Sequence, residues 1–509
     1  MVAAGILASR IIGLVRNRVF AHYFGTSDAA DAFNAAFRIP NFLQNLFGEG
    51  VLSASFIPVY AGLRAEGNDA EAKRVAGAVA ALLGLSTSIL VLLGVVLTPV
   101  LIAVIAPGFD GEKRLETIRL VRILFPGAGL LALSAWCLGV LNSHRRFFLS
   151  YSAPVIWNLA IISALIGFGN GAEQYPLAEI AAWGAVAGSF LQLAVQYPTV
   201  FRLLEGTWPR LVKGSAVVGT VIRNFFPVFV GRGVVQISAY VDTVLASLLP
   251  TGAVAALSYA QVIYTLPVSL FGMSVSAAEL PEMSRARGDE SQRAAYLRGR
   301  LEGGLRQIAF MVVPSAVAFL ALGDVVTGAI YQSGEFTRAM TVYVWGILAG
   351  SAVGLLASTM GRLYSSTFWA LHDTRTPLRM ATLRVMLTIG LGYLFALPLP
   401  RALGVEARWG AAGLTASAGL AGWIEFLLLR RALNRRIGQT GLPISLSARL
   451  WGSAAAAAAA AIGLRYLVPM HHPIIQAIFL LGTYGVLYLT LTAVLGIAEA
   501  GGLLRRLKR

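Results

Sequence analysis

The chain has 509 residues, of which 57% are hydrophobic and 13% are charged, and its mean hydropathy is +0.71. Soluble domains carry roughly a quarter of charged residues, so this composition excludes an ordinary soluble domain and predicts a polytopic, all-α membrane protein. The single cysteine, Cys137, excludes a disulfide within the chain.

Fourteen apolar segments are each near the length needed to cross a bilayer. Lys and Arg concentrate in the loops that follow even-numbered segments and in the C-terminal tail, which predicts that both termini are cytoplasmic. The net charge of +17 is therefore mainly a topology signal, and we expect no nucleic-acid partner. The predicted spans cover residues 2–24, 31–60, 77–106, 118–141, 152–169, 177–200, 218–247, 253–282, 307–331, 340–370, 377–397, 409–429, 450–467 and 474–497.

The first span carries Arg10 and Arg16, and the second carries a polar stripe on an otherwise apolar helix. Six residues of the stripe fall within about 80° of arc at 100° per residue. A charge inside a bilayer costs roughly 2.5–3.5 kcal/mol, so it normally faces a wet cavity or a partner. The stripe therefore predicts a polar chamber within the membrane. Its members are Asp31, Asn34, Arg38, Asn41, Asn45 and Glu49.

The arginines of the two spans match in depth. Arg16 lies eight residues before the end of the first span and Arg38 seven residues after the start of the second, so both sit roughly 10–12 Å below the surface. They could therefore share one anion. The alternative is an internal salt-bridge network in which Arg16 pairs with Asp31 and Arg38 pairs with Glu49.

An internal repeat relates the two halves of the chain. The segment LFGEGVLSASFIP at 46–58 is similar to LFGMSVSAAELP at 270–281, an offset of about 224 residues that spans six segments. An even number of spans gives the two halves the same orientation, which is the parallel-repeat plan of several transporters. We therefore predict an N-terminal lobe at 1–213, a C-terminal lobe at 214–436, and two extra helices with a basic tail at 437–509.

The seventh span carries two charged residues, Arg232 and Asp242. Arg232 would supply positive charge from the C-terminal lobe. Asp242 is a lone carboxylate within a span, so it predicts either an ion site or an ion pair with Arg232 or Arg384.

Six short motifs mark the chain. They are SRIIGLVR at 9–16, DAF at 31–33, FRIPN at 37–41, FGEG at 47–50, YQSGEF at 331–336 and DTRTP at 373–377. These motifs closely resemble those of the MurJ/MviN lipid II flippase family, and the similarity covers nearly the whole chain. The resemblance implies the fold of the multidrug/oligosaccharidyl-lipid/polysaccharide exporter superfamily, with two six-helix lobes plus two extra helices. It also implies transfer of the lipid-linked peptidoglycan precursor from the cytoplasmic to the outer leaflet.

The resemblance also implies that Arg10 and Arg16 are arginines of a central cavity, that Arg38 is a basic position there, and that Asp31 and Glu49 are acidic ones. The chain departs from the family pattern where Gln44 and Val262 replace arginines. A diphosphate cargo suits forked, always protonated Arg donors. The predicted substrate-binding residues are Arg10, Arg16, Asp31, Arg38, Asn41, Asn45, Glu49 and Arg232.

A flippase is favoured over two other classes of protein. A membrane-embedded enzyme would need clustered Asp or His side chains, whereas the five histidines are scattered and the chain has no Walker A pattern. An exporter of another polyprenyl-linked glycan, or of drugs, is the closer alternative. We expect a monomer in the bacterial cytoplasmic membrane that contacts the cell-wall synthesis machinery. We expect it to need no cofactor, although transport could be coupled to Na⁺ or protons.

Overall fold

The computed structural model describes residues 2–47, 52, 55–210, 215–287, 289–468 and 472–507, and every regular element in these ranges is helical. Eleven described helical segments are long and apolar enough to cross a membrane, and each overlaps one of the predicted spans. The first, second and seventh predicted spans also form helices, and these three carry the charged residues singled out above. The all-helical, multi-spanning prediction is therefore confirmed, while the count of fourteen stays a prediction.

The chain forms two compact units. The first comprises residues 1–255 with 333–336, and the second comprises 256–332 with 337–509. The helices that lie wholly in the first unit are α1 (Val2–Phe24), α2 (Asp28–Phe47), α3 (Ile57–Ala65), α4 (Asp69–Ile105), α5 (Gly111–Ser143), α6 (Phe147–Phe168), α7 (Gln174–Leu203) and α8 (Ala216–Ser247).

The remaining helices belong to the second unit, except that the first residues of α9 lie in the first. They are α9 (Ala253–Pro267), α10 (Ser274–Ser284), α11 (Glu290–Ala321), α12 (Gly323–Tyr331), α13 (Arg338–Ala370), α14 (Arg375–Ala396), α15 (Pro398–Ala402), α16 (Gly410–Ile437), α17 (Ile444–Leu467), α18 (Pro473–Val494) and α19 (Ala498–Leu507). A π-helical turn, Val268–Met273, joins α9 to α10, and a 3₁₀ turn, Ala407–Trp409, precedes α16.

One predicted span is interrupted in the described part of the chain. The ninth, predicted as one segment, breaks at Leu322 between α11 and α12. Hydropathy alone does not register such a break, because most residues on both sides are apolar. The boundary between the two compact units differs from the boundary predicted from the repeat, because α8 lies in the first unit. The predicted lobes at 1–213 and 214–436 therefore stay a prediction about the repeat.

In the first unit, α2 and α7 pack on α5, and α1 and α7 pack on α6. Buried Trp136, Val140 and Leu141 of α5 form part of a core that also includes Phe56 and Tyr60. The helices α1 and α2, which carry candidate site residues, therefore pack on the helices of this apolar bundle.

In the second unit, two tyrosines attach α18 to α11. Pro314 has no N–H, so it cannot satisfy the carbonyl of Phe310 one turn earlier. The hydroxyl of Tyr488 donates to that carbonyl at 2.7 Å, and the hydroxyl of Tyr484 donates to the Pro314 carbonyl at 2.7 Å. The two C-terminal spans thus dock on a helix whose own hydrogen bonding is incomplete.

Candidate functional site

Arg16 of α1 lies against two aromatic rings. Its guanidinium carbon is 5.1 Å from the ring centroid of Trp157 on α6 and 5.7 Å from that of Phe37 on α2. The rings stack on each other at 5.6 Å, and the Trp157 indole donates to the Ala185 carbonyl at 3.0 Å. Arg16 also donates to the Asn17 side chain at 2.8 Å. A guanidinium that uses its faces for cation–π contact can still donate from its edge.

The depth match predicted between Arg16 and Arg38 stays a prediction. Arg16 contacts the ring of Phe37, the residue that precedes Arg38. Asn41, one turn after Phe37, lines a small pocket that also has Pro40, Trp157 and Ser189 on its wall. Arg16 and Asn41 therefore lie near the same aromatic pair.

Arg38 faces a different neighbour. Its guanidinium donates to the hydroxyl of Thr243 on α8, and the hydroxyl of Tyr240 donates to the Arg38 carbonyl at 2.8 Å. Asp242 interacts electrostatically with Arg38. The sequence analysis did not consider Arg38 as a partner of Asp242. Arg384, which it did consider, pairs with Glu425 at 3.1 Å within the second unit.

Asp31 is held entirely by protein donors and is 1% exposed. Its Oδ2 accepts hydrogen bonds from Lys113 Nζ at 2.6 Å and the Gly252 amide at 2.7 Å, and its Oδ1 accepts one from the Ala255 amide at 2.8 Å. The same lysine reaches Asp28 at 2.8 Å. This is the geometry of a helix N-cap and buried ion pair. Substrate binding by Asp31 would require one of these donors to leave, and it stays a prediction.

Other predicted site residues are only partly placed. Arg10 lies on α1 with an exposed side chain. Asn45 lies on α2 and Arg232 on α8, but their side chains are outside the described residues, and so is all of Glu49. The structure therefore places Arg16 and Asn41 near one aromatic pair and places Arg38 against α8, all within one unit.

Sequence reasoning missed the residues that hold this arrangement. Lys113 was counted as part of a loop, and Trp157 and Thr243 as ordinary span residues. A single lysine in a loop beside an apolar span does not indicate that its side chain pairs with a buried carboxylate. The aromatic pair around Arg16 depends on a contact between α2 and α6, which lie more than a hundred residues apart in the sequence.

The described residues offer no candidate metal centre. Within the described part of the chain, no group of three or more His, Cys, Asp or Glu side chains is arranged to hold an ion. The arrangement instead offers always-charged donors on helices of one unit, which suits reversible binding of a phosphate-bearing anion.

Known proteins match this chain over nearly its full length. The family model described as lipid II flippase MurJ matches residues 20–485. A probable lipid II flippase MurJ of Rhizobium meliloti is 32% identical over 88% of this chain and 82% of its own length. The lipid II flippase MurJ of Burkholderia cenocepacia is 31% identical over 84% of this chain and 82% of its own length.

Solved structures show the same fold. A lipid II flippase MurJ in an inward closed conformation superposes with a TM-score of 0.78 at 24% identity, covering 100% of this chain and 99% of that one. A multidrug resistance MATE family transporter in an inward-facing conformation gives 0.68 at 17% identity, covering 84% and 95%. With the family match spanning most of the sequence, this multi-spanning membrane protein belongs to the lipid II flippase MurJ family.

Proposed function

We propose that this chain is a lipid II flippase that moves the lipid-linked peptidoglycan precursor from the inner to the outer leaflet by alternating access. The proposal rests on similarity over 88% and 84% of this chain to two proteins named probable lipid II flippase MurJ and lipid II flippase MurJ. The multidrug exporters are similar at 17% identity, which supports a shared fold alone. Transport, not catalysis, is the activity of the family.

The diphosphate of the cargo would be held by Arg16 and Arg38, with Arg10 and Arg232 adding positive charge. Cation–π contacts with Trp157 and Phe37 would hold the Arg16 guanidinium in place before cargo arrives, which would lower the ordering cost of binding. Arg38 would exchange its Thr243 contact for a phosphate oxygen. Asn41, Asn45 and Glu49 would contact the polar groups of the cargo.

Fourteen spans would result if α1, α2 and α8 cross the membrane together with the eleven apolar segments. Both termini would be cytoplasmic, in the bacterial inner membrane, because basic loops favour that side. The membrane potential is the proposed drive, since an anionic cargo in a cationic cavity shifts which side the protein opens to. Na⁺ or proton coupling at Asp242, a monomeric state and contact with cell-wall enzymes stay predictions.

Complementation tests the cargo and the site together. A cell depleted of its own flippase is supplied with the parent chain, with the Arg10→Ala/Arg16→Ala pair, and with Arg16→Lys. We expect the parent to restore growth and wall synthesis, the pair to fail, and Arg16→Lys to restore them poorly because a lysine lacks the planar fork. Arg18→Ala is the matched control on the same helix and should restore growth.

Two results would contradict the proposal. Full rescue by the Arg10→Ala/Arg16→Ala pair at normal membrane abundance would show that these arginines do not hold the cargo. Failure of an abundant, correctly inserted parent chain would show that its cargo is a different one.

A further inference from the structure

A basic cavity lies within the second unit, remote in sequence from the arginines of α1 and α2. Its volume is about 470 Å³, and its wall comes from α13, α14 and α16. Ligand pockets usually measure roughly 300–1,000 Å³. The charged residues on its wall are Arg362, Arg375, Arg384 and Glu425.

These charges do not cancel. Arg384 pairs with Glu425 at 3.1 Å, and within the described residues no carboxylate lies within 4 Å of the guanidinium nitrogens of Arg362 or Arg375. Arg362 is repelled by Arg384 and attracted more weakly by Glu425, which Arg384 already pairs with. The wall therefore carries a net charge of about two positive units, and an anion would relieve the repulsion.

The cavity also has an apolar side that faces out of the protein. Trp369 and Leu378 line it and are 46% and 60% exposed. Only 11% of the most apolar stretch of the α14 segment is buried inside the protein. Along α14, Arg375 and Arg384 are nine residues apart, which is about 13 Å. Arg375 therefore lies at the start of α14 and Arg384 lies at the depth of the acyl chains, beside a face of α14 that would contact lipid.

We propose that this cavity binds the headgroup of a bulk anionic phospholipid. The phosphate takes donors from Arg362 and Arg375, the hydroxyls of Ser365 and Thr374 lie on the same wall, and an acyl chain runs along exposed α14. The α13–α14 loop is on the side predicted to be cytoplasmic, where anionic lipids concentrate, and basic pockets between spans on that side suit such headgroups. The site does not depend on the cargo assigned above.

Native mass spectrometry of the full-length protein in detergent tests this inference, with phosphatidylglycerol titrated against phosphatidylethanolamine. The Arg362→Gln/Arg375→Gln variant should bind phosphatidylglycerol about tenfold more weakly, as expected for loss of a charge-assisted contact. The matched control is Arg379→Gln/Arg285→Gln, which removes the same charge from exposed positions outside the cavity wall. It should retain parent affinity.

A second variant should strengthen binding. Glu425→Gln removes the carboxylate and releases Arg384, whose side chain is 39% exposed, so phosphatidylglycerol should bind a few-fold more tightly. Equal losses in the cavity and control variants, or no loss in the cavity variant, would overturn the site. Displacement of the lipid by soluble glycerol phosphate at equal concentration would overturn the lipid as its occupant, and so would selective binding of lipid II over phosphatidylglycerol.

Discussion

Arg16 shows what the sequence could and could not predict for a single residue. An arginine inside an apolar span indicates a partner or a cavity, and counting residues predicts its depth relative to Arg38 on α2. Its environment did not follow, because Trp157 is one of nine tryptophans and nothing local marks it as a partner. The aromatic pair became visible only once α2 and α6 were packed together.

Trp157 should matter for transport through the position of Arg16. Trp157→Ala removes one ring of the pair and the hydrogen bond to Ala185, and a cation–π contact contributes roughly 0.5–2 kcal/mol. We expect transport of fluorescent lipid II in proteoliposomes to fall about tenfold, with Trp157→Phe retaining most activity. Each rate is normalised to folded protein. Equal loss in both variants would contradict stacking as the role of this ring.

Asp31 should behave as a structural residue. Removing one member of a buried, hydrogen-bonded ion pair costs roughly 3–5 kcal/mol, so Asp31→Ala should lower thermal stability strongly. Asp28→Ala is the control, because that side chain also contacts Lys113 but is 48% exposed and should cost at most about 1 kcal/mol. Cys137 is fully buried, so a thiol-reactive dye reports unfolding of this unit. Equal melting temperatures for the two variants would refute the assignment.

At the scale of elements, α13 and α16 pack through glycine. A Cβ at Gly354 would lie 2.4 Å from the Cα of Gly419, and a Cβ at Gly350 would lie 2.4 Å from the Ala412 carbonyl oxygen. Small residues allow such close approach between membrane helices. The glycines are plain in the sequence, but which ones face each other depends on helix rotation, which composition does not fix.

Gly354→Ala should therefore destabilise the second unit by about 1–3 kcal/mol or more, since the obstructing atoms are backbone. Gly390→Ala on α14 is the matched control, because nothing lies within 4 Å of a Cβ there. It should leave stability unchanged or raise it slightly. The measurement is the fraction that stays monodisperse after heating, by size-exclusion chromatography with fluorescence detection. Similar losses in both variants would contradict the close approach.

Asp373, in the loop between α13 and α14, caps the start of α14, and the stability that this cap contributes depends on pH. Asp373 accepts hydrogen bonds from the Thr376 amide and hydroxyl at 3.0 and 2.7 Å and from Arg436 at 2.6 Å. These donors, the Thr376 amide first, lower the pKa of Asp373 from 3.8 to about 2. A depressed folded pKa stabilises the protein above the unfolded pKa, and this stability is lost as pH falls from about 4 to about 2.

Asp373→Asn tests this cap. The variant should melt below the parent at pH 7, and the difference should shrink as pH falls through that interval, because protonation removes the same charge from the parent. Thermal melting at pH values from 7 to 2 measures the difference. A gap between parent and variant that is constant across this range would contradict the cap.

For the whole molecule, hydropathy and charge predicted the fold class, because a bilayer forces each span to be helical and apolar. Eleven of the predicted spans overlap described apolar helices. Hydropathy did not predict the compact units, since α8 joins the first unit through side-chain contacts that the repeat does not encode.

Cysteine labelling decides whether α8 crosses the membrane. In a Cys137→Ala background, Glu173→Cys in the α6–α7 loop and Arg287→Cys in the α10–α11 loop are separated by α7, α8 and the α9–α10 segment. Three crossings place these exposed positions on opposite sides, whereas two would place them on the same side. We expect an impermeant maleimide to label Glu173→Cys in intact cells and Arg287→Cys only after permeabilisation. Labelling of both positions in intact cells would show that α8 does not span, and labelling of Arg287→Cys alone would reverse the predicted orientation.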